Sequence, residues 1–125
     1  MKKNDRIFIV AQQFYGNRTG TEIDREDINF FLKGILSPEL FPGEDKTVDR
    51  RIIRVPNTDN IVIVYDRNQE DTSLAEGSID FVTCRIPELD FEIHTRCFAC
   101  RIDENGELQS LQKGDGEKFV RYLPL

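Results

Sequence analysis

The chain has one histidine, three cysteines and no long apolar run. Each shortage excludes something. The longest apolar stretch near the N-terminus ends at Gln12 and Gln13 after a handful of residues, too short for a signal-peptide core or a membrane span. The expectation is an unexported, cytoplasmic protein with no membrane association. Three cysteines are an odd number, and a reducing compartment disfavours disulfides, so the thiols read as buried structural groups. A single histidine leaves the acid–base repertoire thin. No segment is of low complexity or internally repeated, and the residues carry no recognisable family signature.

What remains is enough for one folded domain, residues 1–125. At 125 residues and 38% hydrophobic content, folding can bury well over half of the unfolded chain's surface without disulfides or metal. The net charge of −6 is uneven along the chain. Between Asp59 and Glu92 nine acids face only Arg67 and Arg85, while the segments on either side are nearly balanced. A negative surface repels phosphate backbones and attracts basic proteins, so direct nucleic-acid binding is disfavoured and a protein partner with a basic surface is favoured.

Along the chain, Arg6–Phe14 reads as a strand apolar on both faces, to be covered on both sides. A glycine turn follows, then an amphipathic helix from Glu22 to Leu36, capped by Thr21 or Asp24, with Ile28, Phe31, Leu32 and Ile35 as its buried stripe. Ser37–Lys46 is a loop, Thr47–Val55 a strand, and Asn60–Asp66 a central strand with two apolar faces. Arg67–Gly77 lacks a period and is expected to be an exposed loop. Strands over Ser78–Ile86 and Phe91–Asp103 pair with Ile86 opposite Phe91, Cys84 opposite Ile93 and Arg85 opposite Glu92, because a one-residue slip would set Arg85 against Ile93. Phe98, Cys100 and Ile102 then point opposite to Cys97 and Ala99. That switch requires a bulge near Cys97–Ala99 or cover on both sheet faces. Asn105–Gly106 predicts a tight hairpin, followed by short strands near Glu107–Leu111 and Lys118–Leu123. The order gives an α+β fold: a mostly antiparallel sheet of six or seven strands with one main helix packed on it.

Three chemical constellations stand out. Cys84, His94, Cys97 and Cys100 are the inventory of a Cys₃His zinc site, yet HTRCFACRI has strand character, and Cys97 and Cys100 then point to opposite faces. The expectation is no metal and no cofactor. The same geometry argues against a Cys/His catalytic pair. Gly16, Arg18, Gly20 and Thr21, set between a strand and a helix, have the makings of an anion cradle, but lack the lysine and length of a phosphate loop and precede four acids. Arg50, Arg54, Arg85, Arg96 and Arg101 fall on predicted strands and read as salt-linked rows on a sheet face, or as a basic face for a phosphate or an acidic partner.

The favoured function is a small non-enzymatic binding protein, for instance an inhibitor of a nucleic-acid-handling enzyme. By analogy of composition alone it has the size and sign of acidic inhibitors and nucleic-acid mimics carried by mobile genetic elements. Asp66, Glu70, Asp71, Glu76, Glu88 and Asp90 are its expected contact residues, since they fall on predicted loops. The alternatives are an anion-binding or enzymatic domain using Gly16–Thr21, and a subunit whose apolar edge pairs with another copy.

Overall fold

The computed structural model describes residues 5–12, 18–35, 37–77 and 82–123. Its frame is a six-stranded sheet, every pairing antiparallel, in the order β2 (Arg18–Asp24), β1 (Arg6–Gln12), β7 (Cys97–Ile102), β4 (Ile61–Asp66), β3 (Arg50–Arg54), with β8 (Leu108–Gln109) also paired to β7; a separate two-stranded sheet joins β5 (Cys84–Ile86) and β6 (Phe91–Ile93). The fold is α+β, as the order of apolar runs implies.

The centre is β4 (Ile61–Asp66), whose six residues are all buried. It lies between β7 (Cys97–Ile102) and β3 (Arg50–Arg54). Side chains alternate across a strand, so β4 and β7 each feed two cores. Ile61, Ile63, Tyr65, Cys97 and Ala99 enter one; Val62, Val64, Phe98 and Cys100 enter the other. Cover on both faces therefore accounts for the doubly apolar pattern. The strand expected over Phe91–Asp103 instead breaks at His94–Arg96, between β6 (Phe91–Ile93) and β7.

On one face, β1 (Arg6–Gln12) contributes Ile7, Ile9 and Ala11, and α1 (Ile28–Lys33) lays Ile28 and Leu32 against them. The other face of β1 is only partly covered: Phe8 is 41% exposed. On that side β5 (Cys84–Ile86), β6 and the C-terminal turns close the second core through Cys84, Ile86, Ile93, Phe119, Tyr122 and Leu123. The register of β5 and β6 is the expected one, Cys84 opposite Ile93 through Ile86 opposite Phe91. The Asn105–Gly106 hairpin is also present. Gly106 takes φ +83°, Asp103 accepts from the backbone N–H of Asn105 and Glu107, and β8 (Leu108–Gln109) returns along β7.

Three further elements differ from expectation. Arg18–Asp24 is a strand, β2, paired with β1 along seven residues; the helix begins only at Ile28, after a 3₁₀ turn at Arg25–Asp27. Thr21 therefore lies within a strand, and Asp24 precedes that turn without a side-chain capping bond. Ile23 fits either pattern, and the hairpin wins because Arg6 pairs with Asp24 at 2.8 Å and Arg25 N–H bonds the Asp5 carbonyl. Arg67–Ala75 is a helix, α2, started by Asp66 accepting the Asn68 N–H at 2.9 Å. Its few apolar residues left no period to detect. The segment expected as a strand over Lys118–Leu123 is helical instead, α3 (Gly116–Phe119) followed by a 3₁₀ turn at Val120–Tyr122. Phe119, Tyr122 and Leu123 recur at helical spacing, and that face is the buried one.

Candidate functional site

Two of the six expected contact acids lie inside the protein. Asp66 has no exposed surface, and its Oδ1 accepts both the Asn68 N–H and the Asp49 N–H at 2.9 Å. Glu70 is 8% exposed because α2 turns it inward: its carboxylate accepts the His94 backbone N–H at 2.5 and 2.9 Å and lies 3.0 Å from His94 Nδ1. Reading 67–77 as a loop placed both carboxylates in solvent; a capped helix directs them to the core instead. Asp71, Glu76, Glu88 and Asp90 are exposed.

The link from Glu70 to His94 fixes α2 beside the end of β6. The exposed acids fall in two groups, one on α2 and its C-cap, the other at the hairpin tip, the end of the hairpin away from His94. Asp71 and Glu76 flank exposed Leu74 on α2, with Asp71 3.9 Å from Arg67. Glu88 and Asp90 flank Leu89, 51% exposed, at the tip of the β5–β6 hairpin. That tip is held rigidly. The 3₁₀ turn at Pro87–Leu89 ends in Asp90 at φ +50°, Tyr122 O–H donates to Glu88 Oε2 at 2.5 Å, and Arg121 lies over the Tyr122 ring. The Tyr122 hydrogen bond, helped by Arg121, lowers the Glu88 pKa. At the hairpin base Arg85 and Glu92 pair at 2.7 Å, as the register requires.

The cysteines and the histidine do not converge. Cys84 and Cys97 share one core cluster and Cys100 lies in the other. Burial pushes the Cys84 and Cys100 thiols up to about 12 and raises the Cys97 thiol well above its ordinary value. Among the described residues no group of three or more His, Cys, Asp or Glu is placed to hold a metal ion, and no helix is long and apolar enough to cross a membrane.

The anion cradle loses its basis. Gly16 lies outside the described residues, and Arg18, Gly20 and Thr21 are on β2, so no helix start faces the turn. Arg18 donates to the Val120 carbonyl at 3.1 Å, and Phe8 lies across Gly20, where an added Cβ would meet its ring at 2.8 Å. A hollow of about 230 Å³ does exist at the end of α1, lined by Ile23, Phe30, Phe31, Ile35 and Pro38 with Arg96 at its side. Arg96 is not on a strand: it lies in the break between β6 and β7, with its guanidinium 5.7 Å from the Phe31 ring centre.

The strand arginines divide. Arg85 and Arg101 meet acids, Arg101 gripping Asp115 through two bonds at 2.6 and 2.8 Å. Arg50 and Arg54 do not: Arg50 donates to the Asn29 side-chain oxygen and Arg54 to the Asp59 carbonyl, both neutral acceptors. Both lie on β3, the outer strand of the sheet, with Arg51 and a half-exposed Ile52 between them. Of the five arginines expected on strands as salt-linked rows or a basic face, these two alone form a basic edge, with Arg51 beside them. Comparison with protein-family models, curated proteins and solved structures finds no match.

Proposed function

We propose that the protein is a non-enzymatic binding protein that docks on the basic surface of another protein. The contact residues are Asp71 and Glu76 on α2 together with Glu88 and Asp90 on the hairpin tip. Leu74 and Leu89 are the apolar points between them. The observation that supports this is that each pair of exposed acids frames an exposed leucine, 43% exposed for Leu74 and 51% for Leu89. An apolar point framed by charge is the composition of a protein-binding patch, with the charges steering approach and the leucines supplying burial.

The test is a titration of isotope-labelled protein with a lysine-rich amphipathic peptide bearing one leucine face. Amide shifts are expected at residues 71–76 and 88–90, weakening as salt rises. In the variant combining Asp71→Lys, Glu76→Lys, Leu89→Ala and Asp90→Lys they are expected to vanish. Shifts located elsewhere, or binding equal in the variant, would remove the reading.

A further inference from the structure

The outer edge of β3 carries a chemistry opposite to that of the acidic patch and lies on a different sheet. Asp49 accepts the Arg67 N–H, and Val55 N–H bonds the Ile61 carbonyl, at the two ends of the β3–β4 ladder. In an antiparallel ladder these bonded pairs recur at every second residue, so the odd-numbered residues face β4. Arg50, Ile52 and Arg54 therefore turn their backbone N–H and C=O groups away from the sheet. Among the described residues no strand lies beyond them. The three side chains share one face, in the pattern cation, apolar, cation.

We propose that this edge binds an extended segment of another protein as an added antiparallel strand, and that the segment carries acid, any residue, apolar, any residue, acid. The two acids lie opposite Arg54 and Arg50, and the apolar residue lies opposite Ile52. Backbone bonds to the edge supply affinity, and the alternate side chains supply selectivity. Charge complementarity picks the occupant: Arg50 and Arg54 are exposed, and neither has a carboxylate within ion-pair distance among the described residues.

A second copy of the chain fits poorly. Two-fold pairing of β3 about Ile52 sets Arg50 directly against Arg54 of the other copy, which is repulsive. The opposite edge of the same sheet, β2, turns Arg18, Gly20, Glu22 and Asp24 outward by the same reasoning from the Arg25–Asp5 bond. Setting Asp24 opposite Arg50, or Glu22 opposite Arg54, puts a carboxylate against Ile52. Setting Glu22 opposite Arg50 puts Arg18 against Arg54. Arginines on an edge also deter unselective pairing, so they admit the acidic strand while refusing neutral and basic ones.

The probe is the capped peptide acetyl-Thr-Glu-Val-Ile-Thr-Glu-Thr-amide, titrated into the full chain and followed by amide shifts and calorimetry. Binding is expected with shifts centred on residues 50, 52 and 54. It should weaken about tenfold or more in Arg50→Glu/Arg54→Glu. Ile52→Pro removes one outward donor and no bond to β4, and should abolish binding while the Val55 and Arg67 amides stay protected. Against the unaltered protein, two control peptides keep the test independent of variant folding: lysine in place of glutamate, and methylated nitrogens along the bonding edge. Both are expected not to bind. No binding of the probe up to about 1 mM overturns the proposal. So does equal binding of either control, or sedimentation showing a dimer that Arg50→Glu/Arg54→Glu strengthens.

Discussion

Cys97 has no exposed surface, and among the described residues its sulfur meets the Thr83 hydroxyl and carbonyl oxygens at 3.8 and 4.0 Å. A thiol in such a place gains nothing from ionising, because removal from water penalises the thiolate far more than these weak contacts favour it. Cys84 and Cys100 follow the same logic in the two separate cores. The native protein is therefore expected to release no thiol to an aromatic disulfide reagent at pH 8 over minutes, and three equivalents once unfolded in guanidinium. Rapid loss of any one thiol from the folded protein would contradict this placement. Gly34 illustrates a different single-residue constraint. It ends α1 at φ +77°, and Arg96 occupies the space that a Cβ would need.

At the scale of elements, α2 has an unusual basis. Its inward residues are Glu70 and Ser73 rather than an apolar stripe, so burial of hydrocarbon contributes little to holding it. The Asp66 cap and the Glu70 contacts to His94 replace that stripe. Glu70→Ala would leave the buried His94 N–H without its acceptor and His94 Nδ1 without its partner, at a cost of about 3 kcal/mol. Glu70→Gln, which retains an acceptor oxygen, should cost less. Urea unfolding followed by circular dichroism checks the order of the two variants. Equal midpoints for both and for the unaltered protein would mean that α2 does not depend on this link.

Across the whole molecule, acid should unfold the protein by removing specific carboxylates. The two bonds from Arg101 hold the Asp115 pKa below its ordinary value, and the Glu107 backbone N–H, with Gln109 and Asn105, does the same for Asp103. A group whose folded pKa is lowered stabilises fully above its unfolded value. That stability is lost as pH falls through the lower folded value, since the unfolded chain binds protons first. Urea midpoints are therefore expected to hold steady from pH 7 to about 5 and to fall progressively below pH 4. Asp115, with its side chain 3% exposed, joins β7 to the C-terminal turns. Asp115→Asn should cost about 2 kcal/mol at neutral pH and flatten the fall at low pH. A pH profile unchanged by the substitution would show that acid acts elsewhere.

The residues by themselves determined the elements whose evidence is local or periodic. The doubly apolar run of β4 demanded cover on both faces, Asn105–Gly106 demanded a hairpin, and the Arg85–Glu92 pairing selected the register of β5 and β6, whereas the face switch in β7 allowed either a bulge or cover on both sides until the two cores were seen. The strand at Arg18–Asp24, the helix at Arg67–Ala75 and the helix at Gly116–Phe119 were settled only in three dimensions. At Arg18–Asp24 the local pattern suited two conformations, at Arg67–Ala75 it offered no period at all, and contacts distant in sequence, Arg6 to Asp24 and Glu70 to His94, hold the elements that formed. The candidate surfaces divide in the same way. Charge and its concentration between Asp59 and Glu92 are properties of the sequence, whereas the burial of Asp66 and Glu70 depends on acceptors and donors that the chain brings together from 17 and 24 residues away. Which backbone groups of β3 face outward is likewise a property of the sheet, because the order of its strands leaves that edge without a neighbour among the described residues.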